Sequence, residues 1–469
     1  MNEPPVQTVP SAGNPKIADA SQPISLRVEL RDTLVLAGPI VLNQVGHMSM
    51  GMVDTLVSGR ISTTALGGLG LAANFFWTFT SVCIGCLLAL DTYFSQATGA
   101  RDEAALSRYL GQAFWSACLV IVVSGVCIVV GCQLYLAFSP AGELRTAFGT
   151  YVNTISWCLP SLFFHFVLQR YWQARKRVFP FTVIILSANV LNLVACVGFG
   201  LGHWGFPRLG VKGIALSTVI SRYAMLIAAV GFTWHQLGPR ALRMPRLDLA
   251  VQREIFRLGL PAAGHTALEI GAFTLVTFVV ALALGAAPLA AHHACLMMAA
   301  FTFMFPLGFG SAAAVRVGTF IGAGQPRHAR VAGWLCIGIA IVVMGCFAVG
   351  YLAFPRFLLR CFTSDPAVID VGVKILVLVA LFQIADGTQV STTGALRGLG
   401  NTRAAMIANF IGHYPIGLLL GLLLCFVFRF GIVGLWTGLA AGLVSVALML
   451  VRAWVSQTKN LEELKSVVS

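Results

Sequence analysis

Long neutral runs separated by short polar gaps set the character of this chain. Uncharged stretches cover 61–90, 109–142, 178–207, 331–355, 404–428 and 430–451. Each exceeds the roughly 20 residues that cross a bilayer's hydrocarbon core as helix. The pattern predicts helices near 34–58, 68–95, 109–137, 148–172, 179–202 and 210–236. Six more follow near 255–284, 288–318, 330–354, 369–394, 404–428 and 430–455. A polar segment with Arg240, Arg243, Pro245 and Arg246 lies between the two sets. Gly285 through Pro288 breaks an apolar stretch too long for one span.

The two sets of six are related. Pro39 matches Pro261 at an offset of 222, and Gly99-Ala100 matches Gly322-Ala323 at 223. Ala188-Asn189 matches Ala408-Asn409 at 220, and Gly210-x-x-Gly213 matches Gly431-x-x-Gly434 at 221. Four matches in order at nearly one offset point to a duplication. An even number of helices per half makes the repeats parallel, related by an axis along the membrane normal. The expected fold is an all-α integral membrane protein of about twelve transmembrane helices in two parallel-repeat six-helix lobes. Its parts are a disordered cytoplasmic tail over 1–32, an N-terminal lobe over 33–236, a cytoplasmic linker over 237–252, a C-terminal lobe over 253–456 and a cytoplasmic tail over 457–469.

Composition supports lipid as the solvent. Of 469 residues, 58% are apolar and 10% charged, and the mean hydropathy is +0.85. Soluble domains carry about 25% charged residues. The net charge of +14 could indicate nucleic acid, but the basic residues cluster in the gaps between apolar runs, as membrane topology requires. With the N-terminus cytoplasmic, the cytoplasmic side holds 22 of the 31 Lys and Arg, the other side 8, and Arg222 lies mid-helix. The excess of positive charge orients both termini to the cytoplasm. The first thirty residues contain five prolines and no apolar core, so they form no signal peptide. The twelve cysteines lie mostly inside apolar runs and read as small buried thiols, Cys83 and Cys86 included.

Four of the seventeen acids fall well inside predicted helices: Asp54, Asp91, Glu269 and Asp386. A charge at mid-bilayer costs at least about 2.5–3.5 kcal/mol, so it needs a partner, a cavity, a proton or a cation. Helix one carries Gln44, His47, Gly51 and Asp54 on one face, at steps of three and four. Helix seven carries His265 and Glu269 one turn apart. Helix ten carries Gln383, Asp386, Gln389 and Thr393, helix five Asn189 and Asn192, and helix eleven Asn409 and His413. Facing inward together, these stripes describe a hydrated cavity. The plainer alternative is a set of structural groups bonded to hydroxyls or backbone. Asp91 lies close to Arg101 and the cytoplasmic surface. His292 and His293 are neighbours and point about 100° apart, which suits packing better than shared metal ligation. Pro39 and Pro261, in repeat-equivalent helices, are hinge candidates.

Taken in order, the motifs resemble the multidrug and toxic compound extrusion (MATE) transporters, especially the bacterial NorM-like branch. The likeness runs from Gly38-Pro39-Ile40 through Met52-Val53-Asp54-Thr55 and Gly59-Arg60 to Gly259-Leu260-Pro261 with Glu269. It continues through Ala290-Ala291-His292, Met304-Phe305-Pro306, Val315-Arg316-Val317-Gly318 and Asp386 with Gln389, and ends on Gly394-Ala395-Leu396-Arg397-Gly398. Asp91-Thr92 with Gln96 looks more like the eukaryotic branch. The resemblance implies two lobes around a V-shaped cavity and efflux of amphipathic, often cationic drugs in exchange for Na⁺ or H⁺. It implies no enzyme activity and no cofactor beyond the coupling ion, in a monomer of the bacterial inner membrane. By position, Glu269 and Asp386 look like the cation-site acids, with Na⁺ as one ion they would hold, and Asp54 like the first-lobe acid of coupling and release. Asn189 or Asn192 would match the helix-five partners. Gln44, His47, His265, Gln383, Gln389 and Asp91 would complete the polar cavity. A lipid-linked-sugar flippase is the second reading, and it predicts a strongly basic cavity. A membrane-embedded enzyme is the third, and it would need clustered acids or a nucleophile–base set.

Overall fold

The computed structural model describes residues 25–468, the side chains of 460–468 excepted, and these residues form helices and no strand. Twelve long helical segments follow one another: α1 (Leu26–Gly59), α2 (Thr63–Gly99), α3 (Glu103–Phe138), α4 (Glu143–Ala174), α5 (Phe179–Leu201), α6 (Val211–Leu237), α7 (Leu249–Ala283), α8 (Ala286–Gly322), α9 (Pro326–Ala353), α10 (Pro366–Gly398), α11 (Arg403–Val427) and α12 (Gly431–Val468). Eleven are long and apolar enough to cross a membrane. The other, α1, has 34 residues, enough for about 50 Å of helix, but its polar face dilutes its apolar character. The expected multi-pass, all-α architecture is therefore present.

Termini and linker differ from expectation. Residues 1–24 lie outside the described residues, but helix begins at Leu26, within the tail expected over 1–32. The last helix continues to Val468, through the tail expected over 457–469. The linker expected over 237–252 is a short 3₁₀ turn, Pro239–Leu242, followed by an extended stretch, and α7 already starts at Leu249. This stretch is bound along α3. Gln112 Nε2 donates to Arg246 O at 2.8 Å, and Trp115 Nε1 donates to Pro245 O at 2.9 Å. Arg108 pairs with Asp248 at 2.8 Å. Gly111 leaves room for the Pro245 ring. Asp248 Oδ1 also accepts from the amides of Ala250 and Val251, at 3.0 and 3.3 Å, and so caps α7.

Helix α3 shows how the bilayer replaces the usual core. Leu119, Val122, Val126 and Val130 are each more than half exposed along one stripe. Its buried face carries Ala113, Ser116, Ala117, Val120 and Ser124. Apolar side chains outward and small or polar ones inward is the arrangement lipid favours, because tails solvate the first and close packing satisfies the second.

The chain forms two compact units. The first gathers Leu42–Leu90 and Glu103–Gly259. The second gathers the described part of Met1–Val41, with Asp91–Asp102 and Leu260–Ser469. These limits cut through α1, α2 and α7 rather than falling at 237–252. Each cut lies beside a helix defect: Pro39 inside α1, the turn at Leu88 in α2, and Pro261 inside α7. A proline removes one backbone hydrogen bond and crowds the preceding turn, so the helix bends most readily there.

Within the second unit, glycines set the helix crossings. Gly99 leaves space for the backbone of Thr319 and Ala323, and Gly322 for that of Gln96. These two glycines are the repeat mates read from the sequence, so equivalent ends of α2 and α8 pack on one another. Ser95 fits against Gly318, and Gly394 against Gly310. Thr92 Oγ1 donates to Arg397 O at 2.5 Å, Gln96 Nε2 donates to Gly398 O at 3.1 Å, and Asp91 pairs with Arg397 Nε at 3.2 Å.

Candidate functional site

In the first unit, Asp54 is 2% exposed and stands on α1 among donors from three other helices. Thr218 Oγ1 of α6 donates to Oδ2 at 2.7 Å, and the Tyr151 hydroxyl of α4 donates to the same oxygen at 3.3 Å. Asn192 Nδ2 of α5 reaches Oδ1 at 3.5 Å and Thr218 Oγ1 at 3.1 Å. Cys196 Sγ lies 3.9 Å from Oδ1. One carboxylate thus ties four helices together. Asn189 faces elsewhere. Its Nδ2 donates to Gly46 O and Ile185 O, both at 2.9 Å. Three residues on a helix turn about 300°, so the two side chains differ by about 60° in direction, and only Asn192 reaches the acid.

A small cavity of about 20 Å³, room for a water or two, opens beside Asp54, lined among others by Phe76, Trp77, Tyr151, Leu162, Thr218 and Arg222. Arg222, 4% exposed, has Nη1 2.9 Å from His47 Nδ1 and its guanidinium carbon 5.5 Å from the Trp77 ring centre. Arginine has donors only, so His47 Nδ1 accepts and its hydrogen sits on Nε2. His165, the repeat equivalent of Asp386, lies with its ring 6.3 Å from that of His47. Gln44 makes no hydrogen bond in this cluster. Its neighbour Asn43, which sequence reading passed over, is 1% exposed with both amide atoms unpartnered.

In the second unit, Glu269 of α7 and Asp386 of α10 share one donor. Gln389 Nε2 lies 2.8 Å from Glu269 Oε1 and 3.2 Å from Asp386 Oδ1. Gln389 and Asp386 are one turn apart, so helical spacing aims both at α7. His265 Nε2 stands 3.8 Å from Glu269 Oε2, beyond hydrogen-bond reach. His413 of α11 is fully buried with both ring nitrogens unpartnered. Gln383 is not part of this group. Its Nε2 donates to Thr302 Oγ1 at 2.7 Å, near the Tyr351 hydroxyl. Asp91 is engaged by Arg397, so it serves the α2–α10 contact rather than either polar cluster. His292 takes a packing role, with Nε2 2.9 Å from Thr277 Oγ1 and its ring against Trp436.

Of the residues singled out in sequence, the structure brings Asp54 and Asn192, one of the two asparagines left open, together in the first unit, and Glu269, Asp386 and Gln389, with His265 nearby, together in the second. Sequence reading missed Tyr151 and Thr218 as partners of Asp54, and it noted Arg222 only as a mid-helix cation. Thr218 and Arg222 sit four apart on α6 with Ser221 beside them, a polar stripe within an apolar run.

The MatE family model matches this chain twice, over residues 39–197 and 261–423. The two matches start 222 residues apart, the offset of Pro39 and Pro261. The chain is 32% identical over 454 residues to a probable multidrug resistance protein NorM of Mesorhizobium japonicum, covering 94% of this chain and 97% of that protein. It is 32% identical over 431 residues to a protein of the same description from Pseudomonas putida, covering 90% and 93%. The crystal structure of the eukaryotic MATE transporter AtDTX14 superposes with a TM-score of 0.82 at 21% identity, over 93% of this chain and 99% of that one, which shows a shared fold. Matched across both repeats and over nearly the whole length of its relatives, the chain is a multi-pass membrane protein belonging to the MatE family of transporters.

Proposed function

We propose that this protein is a secondary active efflux antiporter of the bacterial inner membrane, both termini cytoplasmic. It exports amphipathic, often cationic compounds in exchange for Na⁺ or H⁺. The observation that carries the reading is the shared donor between Glu269 and Asp386. Contacts of 2.8 and 3.2 Å to one Gln389 nitrogen keep the nearest oxygens of the two carboxylates within about 6 Å, with the Glu269 side chain 14% exposed and Asp386 as a residue 6% exposed. Two full negative charges at that separation repel by about 3 kcal/mol at an effective dielectric of 20. A proton or a cation between them removes that repulsion, and its arrival and departure change the charge of the unit. Gln389 Oε1 is buried without a partner, so it supplies one more oxygen where Na⁺ is the ion. Asp54, with its own set of donors in the first unit, acts as a second protonatable group in this scheme. The relatives' description as multidrug resistance proteins supports small organic molecules as cargo.

The reading predicts that dye efflux from everted vesicles follows an imposed Na⁺ or H⁺ gradient. It also predicts that a Glu269→Gln, Asp386→Asn double variant loses at least about tenfold of gradient-driven efflux. Full gradient-driven efflux in that variant would remove Glu269 and Asp386 from the coupling role. Imposing each ion gradient separately identifies the coupling ion.

A further inference from the structure

The segment between α6 and α7 is built as a strap, its backbone bound to a neighbouring helix and its cations left outside. Residues 243–248 run extended from the 3₁₀ turn to the first turn of α7. Besides the bonds from α3 to Arg246 O and Pro245 O, the Asp248 amide donates to Gln112 Oε1 at 3.1 Å. Gln252, in the first turn of α7, locks the same place. Its Nε2 donates to Gln112 O at 2.8 Å and to Gln112 Oε1 at 3.1 Å, and Ser116 Oγ donates to its Oε1 at 2.7 Å. A tether that only spans a gap needs none of these bonds.

The side chains outside are of two kinds. Arg240, Arg243, Arg246 and Arg253 are exposed, and they form no ion pair among the described residues. The nearby acids are engaged elsewhere: Asp248 pairs with Arg108, and Glu254 Oε2 accepts from the Tyr109 hydroxyl at 3.4 Å. Between the arginines stand Met244, Leu247 and Leu249, exposed by 41, 49 and 73%. The depth of the strap explains the mixture. It crosses α3 at Gln112 and Trp115, and the exposed apolar stripe of α3 starts one turn further on, at Leu119. From Leu119 to the helix end at Phe138 the rise is about 30 Å, the thickness of a bilayer's hydrocarbon core. The strap therefore lies at the edge of that core, where headgroup phosphates meet the acyl chains. Trp115 and the exposed Trp234 near the end of α6 belong to the same level, where indoles gather.

We infer that this strap is a binding site for anionic phospholipid, with Arg240, Arg243 and Arg246 on headgroup phosphates and Met244, Leu247 and Leu249 against the acyl chains. Guanidinium groups bind phosphate oxygens through paired hydrogen bonds, and basic clusters beside membrane helices attract acidic headgroups. A soluble anion would account for the arginines and leave the apolar side chains between them in water. Loop charge that merely orients a chain needs no fixed backbone, whereas this backbone is held at both Gln112 and Trp115. The site is independent of the efflux reading, and the orientation proposed above puts it in the cytoplasmic leaflet.

The test reconstitutes the full-length protein in phosphatidylcholine vesicles that carry a small fraction of photo-crosslinkable phosphatidylglycerol or photo-crosslinkable phosphatidylcholine. Labelling of the peptide spanning 240–253 is read by mass spectrometry. In the wild type the phosphatidylglycerol probe is expected to label it at least about fivefold more than the phosphatidylcholine probe, the discrimination of about one basic contact. That preference is expected to shrink in high salt, because the arginines are exposed. An Arg240→Gln, Arg243→Gln, Arg246→Gln variant is expected to lose it, and the corresponding triple lysine variant to keep most of it. An Arg145→Gln, Arg208→Gln, Lys212→Gln variant, altered at the other ends of α4 and α6, is expected to leave it unchanged. Equal labelling by the two probes in the wild type overturns the site, and this arm needs no variant to fold. So does a preference that survives in the triple glutamine variant, or one that disappears equally in the Arg145, Arg208 and Lys212 variant. Loss of the preference on adding inorganic phosphate, at an ionic strength matched with chloride, would assign the arginines to a soluble anion and overturn the lipid site.

Discussion

Asn189 and Asn192 illustrate what one helical offset does to a side chain's role. Asn189 donates to Gly46 O on the neighbouring helix at 2.9 Å, a structural bond between α5 and α1. Asn192, 0% exposed, spends its donors on Asp54 and Thr218. Removing a buried partner of a neutral backbone group costs about 1–3 kcal/mol. Asn189→Ala is therefore expected to lower the melting temperature of the purified protein more than its efflux per molecule. Asn192→Ala is expected to do the reverse, through a changed proton affinity of Asp54 and a displaced pH profile of efflux. A displaced profile in Asn189→Ala and not in Asn192→Ala would reverse the assignment. The acids were legible in the sequence because charge is rare in an apolar run. Their partners were not. Hydroxyls are common in membrane helices, and most here bond a carbonyl of their own preceding turn, as Thr80, Thr154 and Thr233 do. Nothing in sequence distinguishes those from Thr218, whose hydroxyl leaves its own helix for Asp54.

Among the elements, the segment between α6 and α7 departs furthest from its expected character. Its arginines and Pro245 marked it as a polar linker, yet it lies bonded along α3 and ends on a capping aspartate. The Arg108 guanidinium and the amides of Val251 and Ala250 hold the Asp248 carboxyl below its ordinary range. A depressed carboxylate contributes stability above its unfolded-state value and loses it as pH falls through the lower folded value. Asp248→Asn keeps a capping oxygen and removes the charge. The pair is exposed, so the effect is small: the variant is expected to melt slightly below the wild type at pH 7, and the gap is expected to close under strongly acid conditions. A gap that persists unchanged below the carboxylate range would mean the charge is not its cause. The helix interruptions follow a similar logic. Pro39, Pro261, Pro306 and Pro415 stand inside helical segments, whereas Pro180 falls in a first turn where its missing donor is harmless. Proline in sequence announces a defect and leaves its position within the helix to be found.

For the whole molecule, duplication organises the backbone and not the chemistry. The repeat mates Gly99 and Gly322 admit each other's helices. Cys86 and Gly308, 222 apart, take equivalent contacts in their own units, the first with Gly259 and the second with Val41. The buried charges do not repeat. Glu269 and Asp386 correspond to His47 and His165, while Asp54 and Asp91 correspond to the buried Val276 and Ala314. One unit therefore carries a pair of acids around Gln389, and the other an acid, two imidazoles and Arg222. The orientation rests on basic residues alone, and the predicted topology puts the end of α12 in the cytoplasm. A C-terminal green fluorescent protein fusion is expected to fluoresce and a C-terminal alkaline phosphatase fusion to stay inactive, and the opposite pair of results would invert the topology.

Sequence by itself determined the spans, their number within one, the duplication and the presence of buried acids. Each of these follows from transfer free energy: apolar runs must meet lipid, and charges within them must be compensated. Only the tertiary structure decided which groups compensate them. It chose Asn192 over Asn189, gave Gln383 to Thr302, bound Asp91 to Arg397, and drew the limits of the compact units through α1, α2 and α7. The reason is geometric. Hydrogen bonds form or fail over a few tenths of an ångström, set by helix rotation and by where glycine lets backbones approach, and neither quantity is written in the pattern of apolar and polar residues along one chain.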